Sequence, residues 1–105
     1  MATERKETTT QKELEKGLRE YTRLASLIPA VAAVVVVPGP ERDLFTYIDD
    51  RNEEAIEQLL DAEDKLFELF DDVLFDFHLV YLEGRPLRQM APTSRKVVYS
   101  RAADA

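Results

Sequence analysis

The stretch DRNEEAIEQLLDAEDKLFELFDD, residues 50–72, decides the fold. Asp50-Arg51-Asn52-Glu53 reads as a helix start with Asp50 at the N-cap. Its carboxylate can accept from an orphan backbone N–H of the first turn, and Glu53 can reach back to the cap's own N–H. Glu53, Glu54 and Glu57 then sit at the positive end of the helix dipole, where negative charge is favoured. Ile56, Leu59, Leu60, Leu66, Phe67 and Phe70 recur at helical spacing and predict one apolar stripe. No Gly or Pro interrupts the segment, which is long enough for about six turns. Tertiary packing supplies most helical stability, and each fully buried Leu or Phe contributes roughly 1.5–3 kcal/mol. The stripe is therefore expected to lie on the apolar segments that flank it.

Upstream, Leu44-Phe45-Thr46-Tyr47-Ile48 is rich in aromatic and β-branched residues and predicts a strand. Pro38-Gly39-Pro40-Glu41-Arg42-Asp43 before it is a turn cluster. Residues 32–37 form a continuous apolar run between prolines, as expected of a strand buried on both faces. Strand, turn and strand predict an antiparallel hairpin. Further upstream, Thr10-Gln11-Lys12-Glu13 has the form of a capping box and opens a helix over residues 11–27. Leu14, Leu18, Tyr21, Ala25 and Ile28 give that helix a heptad-like seam. The seam either packs on the chain's own sheet or pairs with its copy in a dimer.

Downstream, Asp71 and Asp72 oppose the helix dipole and predict a turn. Residues 73–82 predict a third strand, with Phe75, Phe77, Leu79 and Tyr81 on one face and Leu74, Asp76, His78, Val80 and Leu82 on the other. The aromatic face is expected under the central helix. Glu83-Gly84-Arg85-Pro86 is a turn, residues 87–91 a short helical turn, and residues 96–100 a fourth, edge strand. The expected fold is α+β, a two-layer sandwich in the order α-β-β-α-β-β, with a small, mostly antiparallel sheet covered by helices on one face. Residues 10–101 are expected to form a single domain, with a disordered tail over 1–9 and a frayed one over 102–105.

The chain has 105 residues, 45% of them hydrophobic and 33% charged, as in globular domains. It has no cysteine, which excludes disulfides, thiolate metal sites and a cysteine nucleophile. The net charge of −7 is unevenly spread: −12 over residues 41–83, +4 over 84–105 and +1 over 1–40. The acidic middle disfavours nucleic acid. The basic C-terminal segment is expected to lie against the acidic helix, in the same subunit or in a neighbour. The longest apolar run, residues 27–38, contains Pro29 and falls short of the roughly 20 residues a membrane-spanning helix needs. The charged residues before it do not resemble a secretory signal, so a soluble, cytoplasmic protein is expected.

His78 is the only histidine, and Asp76 shares its strand face. Asp49 and Asp50 close the second strand. If the second and third strands are neighbours, these four can converge. Three carboxylates and an imidazole suit a divalent cation, and a carboxylate beside a histidine raises its pKa. Asp76 and His78 are thus candidate catalytic residues, and all four are candidate metal ligands. The competing reading makes Asp49 and Asp50 helix caps and Asp76 with His78 a polar pair on a solvated face. Arg85, Arg88 and Arg95 are candidates for binding an anion.

Three glycines exclude a Gly-rich phosphate loop, and no hydrolase motif surrounds Ser26, Ser94 or Ser100. The element order is that of minimal nucleotidyltransferases, but residues 38–43 lack their Gly-Ser pair and spaced aspartates, so no transferase role follows. The aromatics stand beside acids, unlike a base-stacking platform. The expected function is a small self-associating interaction module, a homodimer with no cofactor. The alternatives are a metal-assisted or acid–base enzyme centred on Asp76 and His78, and an anion sensor using the basic segment.

Overall fold

The computed structural model describes residues 10–40, 42–70 and 75–101. The expected tails over 1–9 and 102–105, Glu41 of the first turn, the Asp71-Asp72 turn and the first two residues of the expected third strand lie outside the described residues. Thr10 caps the first helix, α1 (Gln11–Ser26). Its Oγ1 accepts from the Glu13 N–H at 3.1 Å, and the Glu13 carboxylate accepts from the Thr10 N–H at 3.1 Å. The chain continues through β1 (Val31–Val37), β2 (Asp43–Ile48), α2 (Glu53–Phe70), β3 (Asp76–Tyr81), the one-turn helix α3 (Leu87–Met90) and β4 (Lys96–Ser100).

The fold is α+β, built on a four-stranded mixed sheet in the order β3-β2-β1-β4. β1 pairs antiparallel with both β2 and β4, as the hairpin reading expects for β1 and β2. β2 and β3 are parallel, in the register Asp43↔Asp76, Phe45↔His78 and Ile48↔Tyr81. The parallel pair follows from α2, a crossover long enough to return the chain to the end of the sheet where β2 began. β1 takes the centre because Val31, Ala33, Val34 and Val35 are all buried, and only a central strand covers both faces of such a run. In the β1–β2 turn Gly39 has φ of +139°, a conformation that side chains rarely adopt.

α2 starts two residues later than its sequence suggests, and its cap is Asn52, not Asp50. Asn52 Oδ1 accepts from the Ala55 N–H at 3.0 Å. The buried seam is also rotated. It runs through Ala55, Leu59, Ala62 and Leu66, while Leu60 and Phe67 of the expected stripe are 52% and 42% exposed. The two alanines let α2 sit close to its neighbours, which turns the seam toward them and leaves Leu60 and Phe67 on a flank.

One core cluster joins Tyr21 and Ala25 of α1, Ile28 just beyond it and the buried seam of α2 to Val34, Leu44, Ile48 and Phe75. The α1 seam is therefore spent on the chain's own sheet. A second, smaller cluster joins Ala33, Val35, Tyr47 and Leu82 on the opposite face to Leu87, Met90 and Ala91. That face, expected to be open to solvent or to a second subunit, is partly covered by the chain itself, with the Tyr47 hydroxyl donating to the Met90 carbonyl at 3.4 Å. Among the described residues no helix is long and apolar enough to cross a membrane.

Candidate functional site

β2 and β3 are neighbours, yet the four residues singled out as metal ligands do not converge. The parallel register places Asp76 and His78 beside Asp43 and Phe45, toward the start of β2. Asp49 and Asp50 follow Ile48 at its far end, and Asp49 is roughly 20 Å from Asp43 at 3.3 Å per residue. Among the described residues no group of three or more His, Asp and Glu side chains is placed to hold a metal ion.

His78 instead meets Asp43, with Nε2 and Oδ1 2.9 Å apart. A carboxylate oxygen only accepts, so Nε2–H donates to it. The imidazole stacks on Phe45, with centroids 4.6 Å apart and planes 18° apart. A carboxylate and an aromatic face thus fix the ring. The histidine side chain is 42% exposed and that of Asp43 31%, so the pair sits in high dielectric. Ser100 lies on β4, three strands from β3 and about 14 Å away.

Asp49 is engaged at the opposite end of the sheet. Arg101 donates from Nη2 to Asp49 Oδ1 at 2.7 Å and from Nη1 to Oδ2 at 2.9 Å, and its Nη1 also donates to the Pro29 carbonyl at 2.7 Å. The guanidinium hydrogen bonds hold the Asp49 carboxyl below its usual range, against an opposing push from partial burial. The basic C-terminal segment therefore runs away from the acidic helix that was expected to receive it. β4 is the far edge of the sheet, and its terminal arginine closes on Asp49.

The three arginines proposed for an anion are occupied unequally. Arg85 donates to the carbonyls of Leu82 and Tyr81 at 2.9 and 3.1 Å and to Glu83 at 3.2 Å, bracing the turn after β3. Arg95 donates to the Pro92 carbonyl at 3.1 Å. Arg88 is exposed on α3, and among the described residues it makes no hydrogen bond or ion pair.

A polar feature that the sequence reading passed over lies under the free edge of β3. The hydroxyls of Tyr21 and Thr46 are 2.6 Å apart and buried. They floor a recess of about 250 Å³ between α2 and the sheet, walled by Ile56, Leu60, Phe77 and Leu79, with Glu63 at its rim. Burial pushes the Tyr21 hydroxyl pKa well above its ordinary value, the Thr46 hydrogen bond opposes that shift, and the charge of Glu63 adds to it. Burial, and then the neighbouring Asp64, also raises the Glu63 carboxyl. Tyr21 reads as core from its helical spacing alone, and only the sheet pairing reveals that a strand threonine faces its hydroxyl. No protein-family model, curated protein or solved structure matches the chain.

Proposed function

We propose that this protein is a small self-associating interaction module, a two-layer α+β sandwich that pairs with a second copy of itself through the outer edge of β3. The observation that carries the reading is the state of that edge. The Asp76 N–H donates to the Arg42 carbonyl and the Leu82 N–H to the Ile48 carbonyl, so the even-numbered residues of β3 turn their backbone toward β2. Phe77, Leu79 and Tyr81 turn theirs outward, on the terminal strand of the sheet, where the Tyr81 carbonyl accepts from Arg85 at 3.1 Å.

Natural edges are blunted with lysine, proline, bulges or covering loops. β3 has no lysine or proline, and its pairing with β2 shows no register shift. Leu79 is 39% exposed on it, and the exposed Leu60 of α2 lines the same recess, so apolar side chains flank the outward backbone groups. A two-fold axis at Leu79 sets that leucine against its copy and Phe77 against the partner's Tyr81, a self-complementary match of apolar and aromatic pairs.

The test is mass by light scattering across a range of concentrations, with Leu79→Lys as the perturbation. Wild type is expected at twice the chain mass and the variant at the chain mass, with unchanged far-ultraviolet dichroism. A wild-type monomer at every concentration refutes the reading, and so does a dimer that the lysine leaves intact.

A further inference from the structure

The opposite edge of the sheet carries a different surface. Pairing of β1 with β4 is in register at Val34↔Tyr99 and again at Val35↔Val97, so Val98 is an extra residue, a bulge on the edge strand. A bulge breaks the in-and-out alternation of a strand and re-aims its side chains. Here the adjacent Val98 and Tyr99 both pack toward the core cluster under the helices, while Val97 is 44% exposed. With Leu18 of α1 they floor a groove of about 550 Å³ between α1 and β4.

Two features of the groove have no account within the fold. The first is a buried hydroxyl: Thr22 Oγ1 lines the groove side of α1 and has no hydrogen-bond partner. Such a group costs about 1–3 kcal/mol if it stays unsatisfied. The second is charge. Arg19 and Lys96 face the groove from its two walls, and among the described residues neither makes a hydrogen bond or ion pair. Arg23, further along α1, is held by Glu20 at 2.7 Å, and Glu15 is the one acid in the lining. Two uncommitted cations over an apolar floor stand out in a chain of net charge −7.

We propose that the groove between α1 and β4 binds a small amphiphilic carboxylate, with its apolar body on Leu18, Val98 and Tyr99 and its carboxylate between Arg19 and Lys96. Addition of a peptide strand is the poorer occupant, because the bulge and Lys96 spoil β4 as a template. The site is independent of self-association through β3, which lies at the other end of the sheet.

The probe is 4-phenylbutyrate, with 4-phenylbutanol and 4-phenylbutylamine as neutral and cationic isosteres, titrated against the full chain while amide chemical shifts are followed. Saturable shifts are expected at Leu18, Arg19, Thr22, Val98 and Tyr99, with the carboxylate binding about 10-fold tighter than the alcohol, as one charge-assisted contact allows. Arg19→Glu with Lys96→Glu, both exposed positions, is expected to remove that preference, and Arg88→Glu on the other face to leave it intact. Equal binding of carboxylate and alcohol, shifts centred elsewhere, or charge reversal without effect each overturn the proposal. Light scattering on the same samples separates it from self-association, since a monomer that binds the carboxylate refutes only the dimer.

Discussion

Tyr21→Phe isolates the buried hydroxyl pair. The substitution removes one oxygen and leaves the ring, including its 5.1 Å contact with Phe77, in place. The Thr46 hydroxyl then loses its partner in a position only 2% exposed. A buried hydroxyl stripped of its bond costs about 1–3 kcal/mol. In a domain of this size each kcal/mol shifts Tm by roughly 4–8 °C, so a fall of roughly 4–24 °C is expected. Thr46→Val alone is expected to cost a similar amount, by orphaning Tyr21. The double variant replaces both partners with apolar groups and is expected to recover most of the loss. pH gives a second handle on the same bond. The folded state holds the Tyr21 proton more tightly than the unfolded chain does, chiefly because of burial. A raised folded pKa means that its contribution is fully present below the unfolded value of about 10 and declines above it, by about 1.4 kcal/mol per pH unit until the folded pKa is reached. Urea midpoints at pH 9, 10 and 11 should fall for wild type and fall less for Tyr21→Phe. Strictly additive losses in the double variant, or identical alkaline slopes, refute the reasoning.

Thr22→Val should behave in the opposite sense to Thr46→Val: deleting an unsatisfied hydroxyl is expected to raise Tm, and a fall would show that the group has a partner. Glu63→Gln should stabilise at pH 7 by under about 1 kcal/mol, because a half-buried carboxylate with a raised pKa opposes folding once ionised. The gain should vanish near pH 4, where the acid is protonated in both states, and denaturant titration at the two pH values measures it. Arg101→Gln should cost no more than about 1 kcal/mol, since that pair is 43% and 46% exposed. The Asp49 contribution is present above the unfolded pKa near 4 and lost as pH falls through the depressed folded value, so the variant should show a shallower acid slope in the same titration.

Local chemistry was legible in the chain and non-local pairing was not. The Thr10–Glu13 box, the continuous valine run of β1 and the aromatic alternation of β3 each contain their own cause within a few residues, and each appears where expected. β4 was placed at Lys96–Ser100 on the same grounds. The rotation of α2 was less visible, because Ala55 and Ala62 carry little hydrophobic signal although their smallness is what selects the buried seam. The four candidate metal ligands stay apart for a topological reason. Asp49, Asp50, Asp76 and His78 converge only if β3 runs against β2, and the parallel register substitutes Asp43, which had been read as a turn residue. Arg101 and Asp49, 52 residues apart, had no signal linking them at all.

The two borders of the sheet are unlike. One is straight, greasy and open, and the other is kinked by Val98 and guarded by a lysine. A sheet with two competent borders can add copies without limit, as fibres do. A sheet with only one consumes it in the first encounter, and growth stops at a pair. On the proposed pairing through β3, the single surplus residue on β4 would set stoichiometry as well as shape, and restoring regular pleating there by deleting Val98 is the change that would expose this chain to runaway polymerisation.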